Sequence, residues 1–247
     1  MHEKQIKPIK KAATPLCGGL GAAPPLRDGN CESNFLAKYK ERIIFAKYGN
    51  LRFIGHLDFL RVFQQTIRRA NLPVAYSQGF NPHILISFAL PLPLGMSSNF
   101  DYVDITLNEE CPNMVELLNN KAPEGLKIHK SSPVTDKGAA SVVTVADYRV
   151  KIQKDIDVSE KINKLMESKE IITTKKTKSG LKNVDIRPDI ISISEKNSLI
   201  QMRLYAGSAR FLNPLTVMGQ LLEEPSTVKI ERYNMYKPDE NGELVEL

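Results

Sequence analysis

The sequence predicts an α+β protein built from two tandem ferredoxin-like units, each in the order β-α-β-β-α-β with antiparallel sheets. Three observations predict it. Short stretches of alternating hydrophobicity are interleaved with amphipathic helical stretches. The same order of elements occurs twice, first over residues 39–133 and again over 147–236. Residues 134–146 between them, rich in Ser, Thr, Gly and Ala, read as a linker. The repeat is one of pattern and not of residues.

In the first unit Arg42 to Tyr48 alternates as a strand, and Gly49-Asn50 supplies a turn. A helix is expected from His56 to Asn71: Leu60, Phe63, Ile67 and Ala70 recur at helical spacing, with Asp58, Arg61, Gln65, Arg68 and Arg69 on the opposite side. Pro73 ends it, because the residue before a proline avoids the helical region. Ile84 to Leu90 reads as a second strand and Pro91 to Asn99 as a linking turn. Tyr102 to Leu107 is the third, with Val103, Ile105 and Leu107 on one face and Tyr102, Asp104 and Thr106 on the other. A short helix opening at Pro112 and a strand from Leu126 to Lys130 complete the unit.

In the second unit Asp147 to Gln153 is the first strand, and Ser159 is expected to cap a helix carrying Ile162, Leu165 and Met166. Strands follow near Ile190 to Ser194 and from Leu199 to Tyr205. Asn213-Pro214 starts a helix, since proline suits the first helical position, and Val228 to Tyr233 is the last strand. Lys169 to Lys182 reads as a strand and a mobile basic loop, and residues 237–247 as a tail.

Hydrophobic residues make up 42% of the chain and charged residues 25%, a composition able to bury a core. The net charge of +6 is unevenly placed: residues 41–73 hold Arg42, Lys47, Arg52, Arg61, Arg68 and Arg69 against Glu41 and Asp58. Such an imbalance suits an anionic partner. Residues 1–38 read as a disordered basic arm, whose prolines and glycines argue against a signal peptide. Cys17, Cys31 and Cys111 form neither a paired framework nor a close-spaced metal set, so a reduced cytoplasm is expected, with no metal and no cofactor. No apolar run approaches the ~20 residues of a membrane span.

The most informative segment follows the first helix. Tyr76-Ser77-Gln78-Gly79-Phe80-Asn81-Pro82-His83 concentrates aromatic, polar and backbone-permissive residues, as functional loops do. Gly79 can take a left-handed conformation and Asn81-Pro82 makes an extended corner. Tyr76 and Phe80 suit stacking on a base, Asn81 and His83 suit polar readout, and Arg52, Arg61, Arg68 and Arg69 suit phosphate. The alternative is a packed corner with Phe80 in the core and a solvated helix face. His56 and His83 are the candidate acid–base residues, but no partnering base is visible by spacing.

RFIGHLDFLRVFQQTIRRANLP and YSQGFNPHILISFALPLPLG together resemble the radical-SAM-linked protein family, a domain of unknown function. The resemblance covers residues 41–236 and includes Arg187-Pro188 and GSARFLNP at 207–214. It implies a bacterial protein encoded beside, or fused to, a radical SAM protein. The chain lacks the CxxxCxxC that would hold an iron–sulfur cluster, so the resemblance implies the companion and not the radical enzyme. Where the family continues after the Asn-Pro-His corner with proline and a basic residue, this chain has Ile84 and Leu85, which weakens a phosphate grip at that point.

Three functions are therefore expected in order. The first is a non-catalytic module binding RNA, or an RNA-derived substrate, for a radical SAM partner. The second is a docking subunit of that partner using the same loop and the Pro91 to Gly95 turn, without RNA contact. The third is an RNA-processing or RNA-modifying enzyme using His56 or His83.

Overall fold

The computed structural model describes residues 39–135, 137–152, 157–177, 180–225 and 228–247. The expected arm at 1–38 lies outside the described residues. The fold is α+β and mostly sheet. The first half contains β1 (Tyr39–Lys47), α1 (His56–Arg69), β2 (Ile86–Phe88), β3 (Ser97–Leu107), α2 (Met114–Asn119) and β4 (Leu126–Pro133). α3 (Ala139–Val142) follows. The second half contains β5 (Val145–Lys151), α4 (Ser159–Glu167), β6 (Ile172–Thr177), β7 (Gly180–Asp185), β8 (Ile190–Lys196), β9 (Leu199–Tyr205), α5 (Pro214–Leu221), β10 (Lys229–Pro238) and β11 (Leu244–Glu246).

One sheet of nine strands runs through both halves in the order β4-β1-β3-β10-β5-β9-β8. β2 and the start of β10 pair with β3 at different levels, Ile86 opposite Ile105 and Arg232 opposite Ser98. Among the described residues the β3–β10 joint is parallel, whereas every other strand pairing is antiparallel. β6 and β7 form a separate hairpin.

Strand parity and helix spacing build two cores. Ile43 and Phe45 of β1 and Val103, Ile105 and Leu107 of β3 share a face covered by Phe59, Phe63 and Ile67 of α1. In the second half Tyr148, Val150, Ile200, Met202 and Leu204 meet Ile162 and Leu165 of α4 and Val217, Met218 and Leu221 of α5. α5 starts as expected: the Asn213 side chain accepts the Leu215 amide at 3.0 Å with Pro214 at the first turn.

Several local expectations are corrected. On α1 the buried row is led by Phe59 and includes Thr66, while Leu60 is half-buried. Thr66 tolerates burial because its hydroxyl donates to the Val62 carbonyl at 2.9 Å. Ser159 does not cap α4 with its side chain; its amide donates to Asp157 Oδ1 at 2.9 Å. On the second face of β3, Tyr102 and Asp104 are buried as well. Asp104 takes a bidentate bond from Arg42 at 2.8 and 3.2 Å and the Ala139 amide at 2.8 Å. That bond docks α3 on the sheet, so residues 139–142 of the expected linker are packed chain. The expected basic loop within 169–182 is largely the β6–β7 hairpin, and residues 237–247 carry the end of β10 and β11.

Candidate functional site

The loop after α1 is fixed by backbone pairing at its base. The Ala75 amide donates to the Thr106 carbonyl at 2.8 Å and Leu85 donates back to Ala75 at 2.9 Å. Tyr76 bridges Ile84, and the Ser77 amide donates to the His83 carbonyl at 2.8 Å. Side chains then close the loop: Ser77 Oγ lies 2.8 Å from His83 Nδ1 and accepts the His83 amide at 3.1 Å. Gly79 has φ +124°, a conformation that L side chains rarely adopt, which explains the residue at this point.

Beyond the closure, residues 78–83 are exposed. Phe80 is 106% exposed, Tyr76 is 41% exposed, and Asn81 is in solvent. The reading of Phe80 as a core residue is therefore excluded. An exposed phenyl ring on a loop held at its base is an arrangement suited to contact with something outside the chain, because burial within the chain does not account for it.

The arginines divide along α1. Arg61 is paired with exposed Asp58 at 2.7 Å, a contact worth about 0–1 kcal/mol that offsets its charge. Arg68 and Arg69 are exposed in the last turn and have no carboxylate partner among the described residues. Their position complements the helix dipole. Arg52 lies in the Gly49–Phe53 turn that precedes α1, whose first residue, His56, is roughly 18 Å along the axis from Arg68 at the usual rise per residue. Its guanidinium covers the Phe53 ring at 4.5 Å, and its carbonyl accepts the Gly95 amide at 2.8 Å. Among the described residues no hydrogen bond or ion pair joins Arg52, Arg61, Arg68 or Arg69 to the loop.

The two candidate histidines are not brought together by any contact. His83 belongs to the loop closure. His56 opens α1 half-buried, its ring edge-on to Phe88 at 5.5 Å. Burial, and next the charge of Lys47, push the His56 pKa below the usual histidine range. No group of three metal-ligating side chains occurs among the described residues. A cleft of about 560 Å³ at the β1–β4 edge, lined in part by Glu41, Glu110 and Cys111, contains none of the expected site residues. There, burial and then Glu110 raise the Glu41 pKa.

Sequence reasoning missed a buried ionic centre below the start of α1. Arg232 is 0% exposed and bonds Asp101 through Nε and Nη2, both at 2.9 Å, and the Leu90 carbonyl at 3.0 Å. Ser98 Oγ donates to Asp101 at 2.8 Å. Lys47, 1% exposed, donates to the Ile54 carbonyl at 3.2 Å and lies over the Phe59 ring at 4.6 Å. Burial is the main cause lowering its pKa. One signal was available: Lys47 shares the strand parity of buried Ile43 and Phe45.

Residues 40–214, well over half of the chain, match the family described as an uncharacterized protein conserved in bacteria (DUF2344), and the chain belongs to that family. Among curated proteins none matches it.

Proposed function

We propose that this protein is a non-catalytic, cytoplasmic module that binds RNA, or an RNA-derived substrate, and presents it to a radical SAM partner. The observation that carries the reading is Phe80, fully in solvent on a loop closed by Ser77 and His83. Phe80 and Tyr76 stack on bases, Asn81 and His83 supply polar contacts, Ser77 and Gly79 hold the shape, and Arg68 and Arg69 meet phosphate. Arg61, already paired, contributes less, and Arg52 serves the other end of the helix. The radical SAM partner rests on the sequence resemblance alone.

Each half is read as a ferredoxin-like unit. The spatial orders β4-β1-β3-β2 and β10-β5-β9-β8 support this, since both place the last, first, third and second strands of the unit side by side. That topology is compatible with RNA binding, but by analogy of fold only. Fluorescence anisotropy of the full chain with a labelled single-stranded RNA at ~50 mM salt tests the reading, because phosphate contacts are strongest there. Phe80→Ala and Arg68→Glu/Arg69→Glu are expected to weaken binding. No affinity in the wild type defeats the proposal.

A second reading, docking of the partner protein without RNA contact, is favoured by an apolar group near the start of α1. Phe53, Leu57 and Leu94 are 58%, 66% and 61% exposed, and the Gly95–Arg52 bond ties their segments together. Co-expression with the radical SAM protein and pull-down with Leu57→Asp/Leu94→Asp separates it from the first. Undiminished capture would remove this patch as the contact.

A further inference from the structure

The second half carries a surface that the loop and α1 do not use. α4 and α5 both pack on the face of β5, β9 and β10 that holds Tyr148, Val150, Met202 and Ile230. Strand alternation sends the intervening residues to the other face, and Lys151, Ser192, Ser194, Lys196, Gln201 and Lys229 are exposed there. Helices on one side and polar side chains on the other leave a broad, open sheet.

Register orders that face into rows across the strands. Lys196, Leu199, Lys151 and Lys229 form the first, from β8 through β9 and β5 to β10. Ser194, Gln201, Arg149 and Glu231 form the second, and Ser192, Arg203, Asp147 and Asn234 the third. At ordinary strand spacing, Lys151 and Lys229 stand roughly 5 Å apart and Lys196 roughly 10 Å beyond. None of these lysines belongs to an ion pair among the described residues. The two arginines are held rigidly: Arg149 by Glu231 at 2.9 Å through both Nε and Nη2, and Arg203 by Asp147 at 2.7 and 2.8 Å. Each guanidinium also lies over a tyrosine ring, Arg149 over Tyr233 at 5.7 Å and Arg203 over Tyr236 at 4.5 Å. Their side chains remain 40% and 36% exposed.

The three rows thus carry five cations (Lys151, Lys196, Lys229, Arg149 and Arg203) against two carboxylates, Asp147 and Glu231. Asp147 and Glu231 neutralise the arginines, and a further carboxylate, Glu246 of β11, accepts from Asn234 at the end of the third row, so the uncompensated positive charge lies in the lysine row. Beside it are planar groups fixed in place. We propose that this face binds single-stranded nucleic acid, with phosphates along the Lys151–Lys196–Lys229 row and bases stacked on the arginine–tyrosine pairs. An acidic protein would satisfy the lysines but leave the planar groups without a role. The inference takes its ligand class from the RNA reading above and adds a second contact surface to it.

The test is anisotropy titration of the full chain with a labelled oligouridine of about 15 nucleotides, long enough for more than one contact surface. Lys151→Gln/Lys196→Gln/Lys229→Gln replaces exposed side chains and should weaken binding about tenfold or more. The slope of log affinity against log salt should fall by about 2, the value for three lost single-strand phosphate contacts. Oligothymidine of the same length serves as the DNA arm, and binding of either or both strands agrees with the proposal. A triple variant that binds as the wild type does overturns this inference while leaving the loop reading intact. A wild type that binds neither oligonucleotide overturns both. Inorganic polyphosphate competing as well as RNA, phosphate for phosphate, overturns the stacking role and with it the nucleic-acid assignment.

Discussion

Arg232→Met is the most informative stability perturbation. Arg232 is the fully buried cation of β10, and its main partner, Asp101, lies on β3, so the pair joins the two halves where their strands meet. Removing the guanidinium leaves the Asp101 carboxylate, 4% exposed, with the Ser98 hydroxyl as its remaining hydrogen-bond donor. Breaking a buried pair from one side costs about 3–5 kcal/mol, chiefly through the charge left behind. Lys47 is close enough for its pKa to respond to Asp101, which moderates that cost. Asp101→Leu should be worse than Arg232→Met, since it leaves two buried cations, Arg232 and Lys47, without the carboxylate. The double replacement Asp101→Leu/Arg232→Met should cost much less than the sum of the singles, because it removes both charges. Urea denaturation followed by circular dichroism gives the three values, and a double-mutant cycle gives the coupling. If Arg232→Met lost less than about 1 kcal/mol, the ion pair would not be the fastener inferred from its burial.

Three other outcomes follow from the structure. Tyr102 is pushed up to about 12, first by burial and then by Glu246, so a phenolate absorbance titration should show a tyrosine ionising there. Because the folded protein holds that proton above the unfolded value of about 10, stability should fall as pH rises through the interval between them. His56 has a lowered pKa, so an NMR titration should place it below about 6.5; its contribution to stability is present above that unfolded value and is lost as pH falls from there through the lowered folded midpoint. Lys47→Met should move the His56 midpoint upward by removing the neighbouring charge, and an unmoved midpoint would leave burial as the sole cause. Gly125→Ala should destabilise by about 2 kcal/mol or more, since φ is +92° and a Cβ would sit 2.6 Å from the Tyr48 carbonyl oxygen; thermal denaturation checks it.

The elements legible in the sequence are those whose pattern is local. β9 was expected and observed at Leu199 to Tyr205 because Ile200, Met202 and Leu204 alternate without interruption. α5 starts at Pro214 because its Asn-Pro start combines a cap with a preset backbone angle. The polar face of α1 was likewise readable, since Asp58, Arg61, Gln65, Arg68 and Arg69 are all exposed. The Ser77–His83 loop announced itself by composition. Its closure, which lifts Phe80 into solvent, did not, because Ser77 and His83 meet only once Tyr76 and Ile84 are paired.

By itself, then, the sequence determined the α+β class, most of the helices and strands, and the loop that stands out chemically. Each of these depends on spacing within about ten residues, where side-chain periodicity and turn chemistry act directly. Only the tertiary structure decided that β10 lies against β3, that Lys47, Asp101 and Arg232 share one buried centre, and that three lysines from three strands form a row. Those relations join residues far apart in the chain, 131 positions for Asp101 and Arg232, and strand register, which no local spacing encodes, places them together.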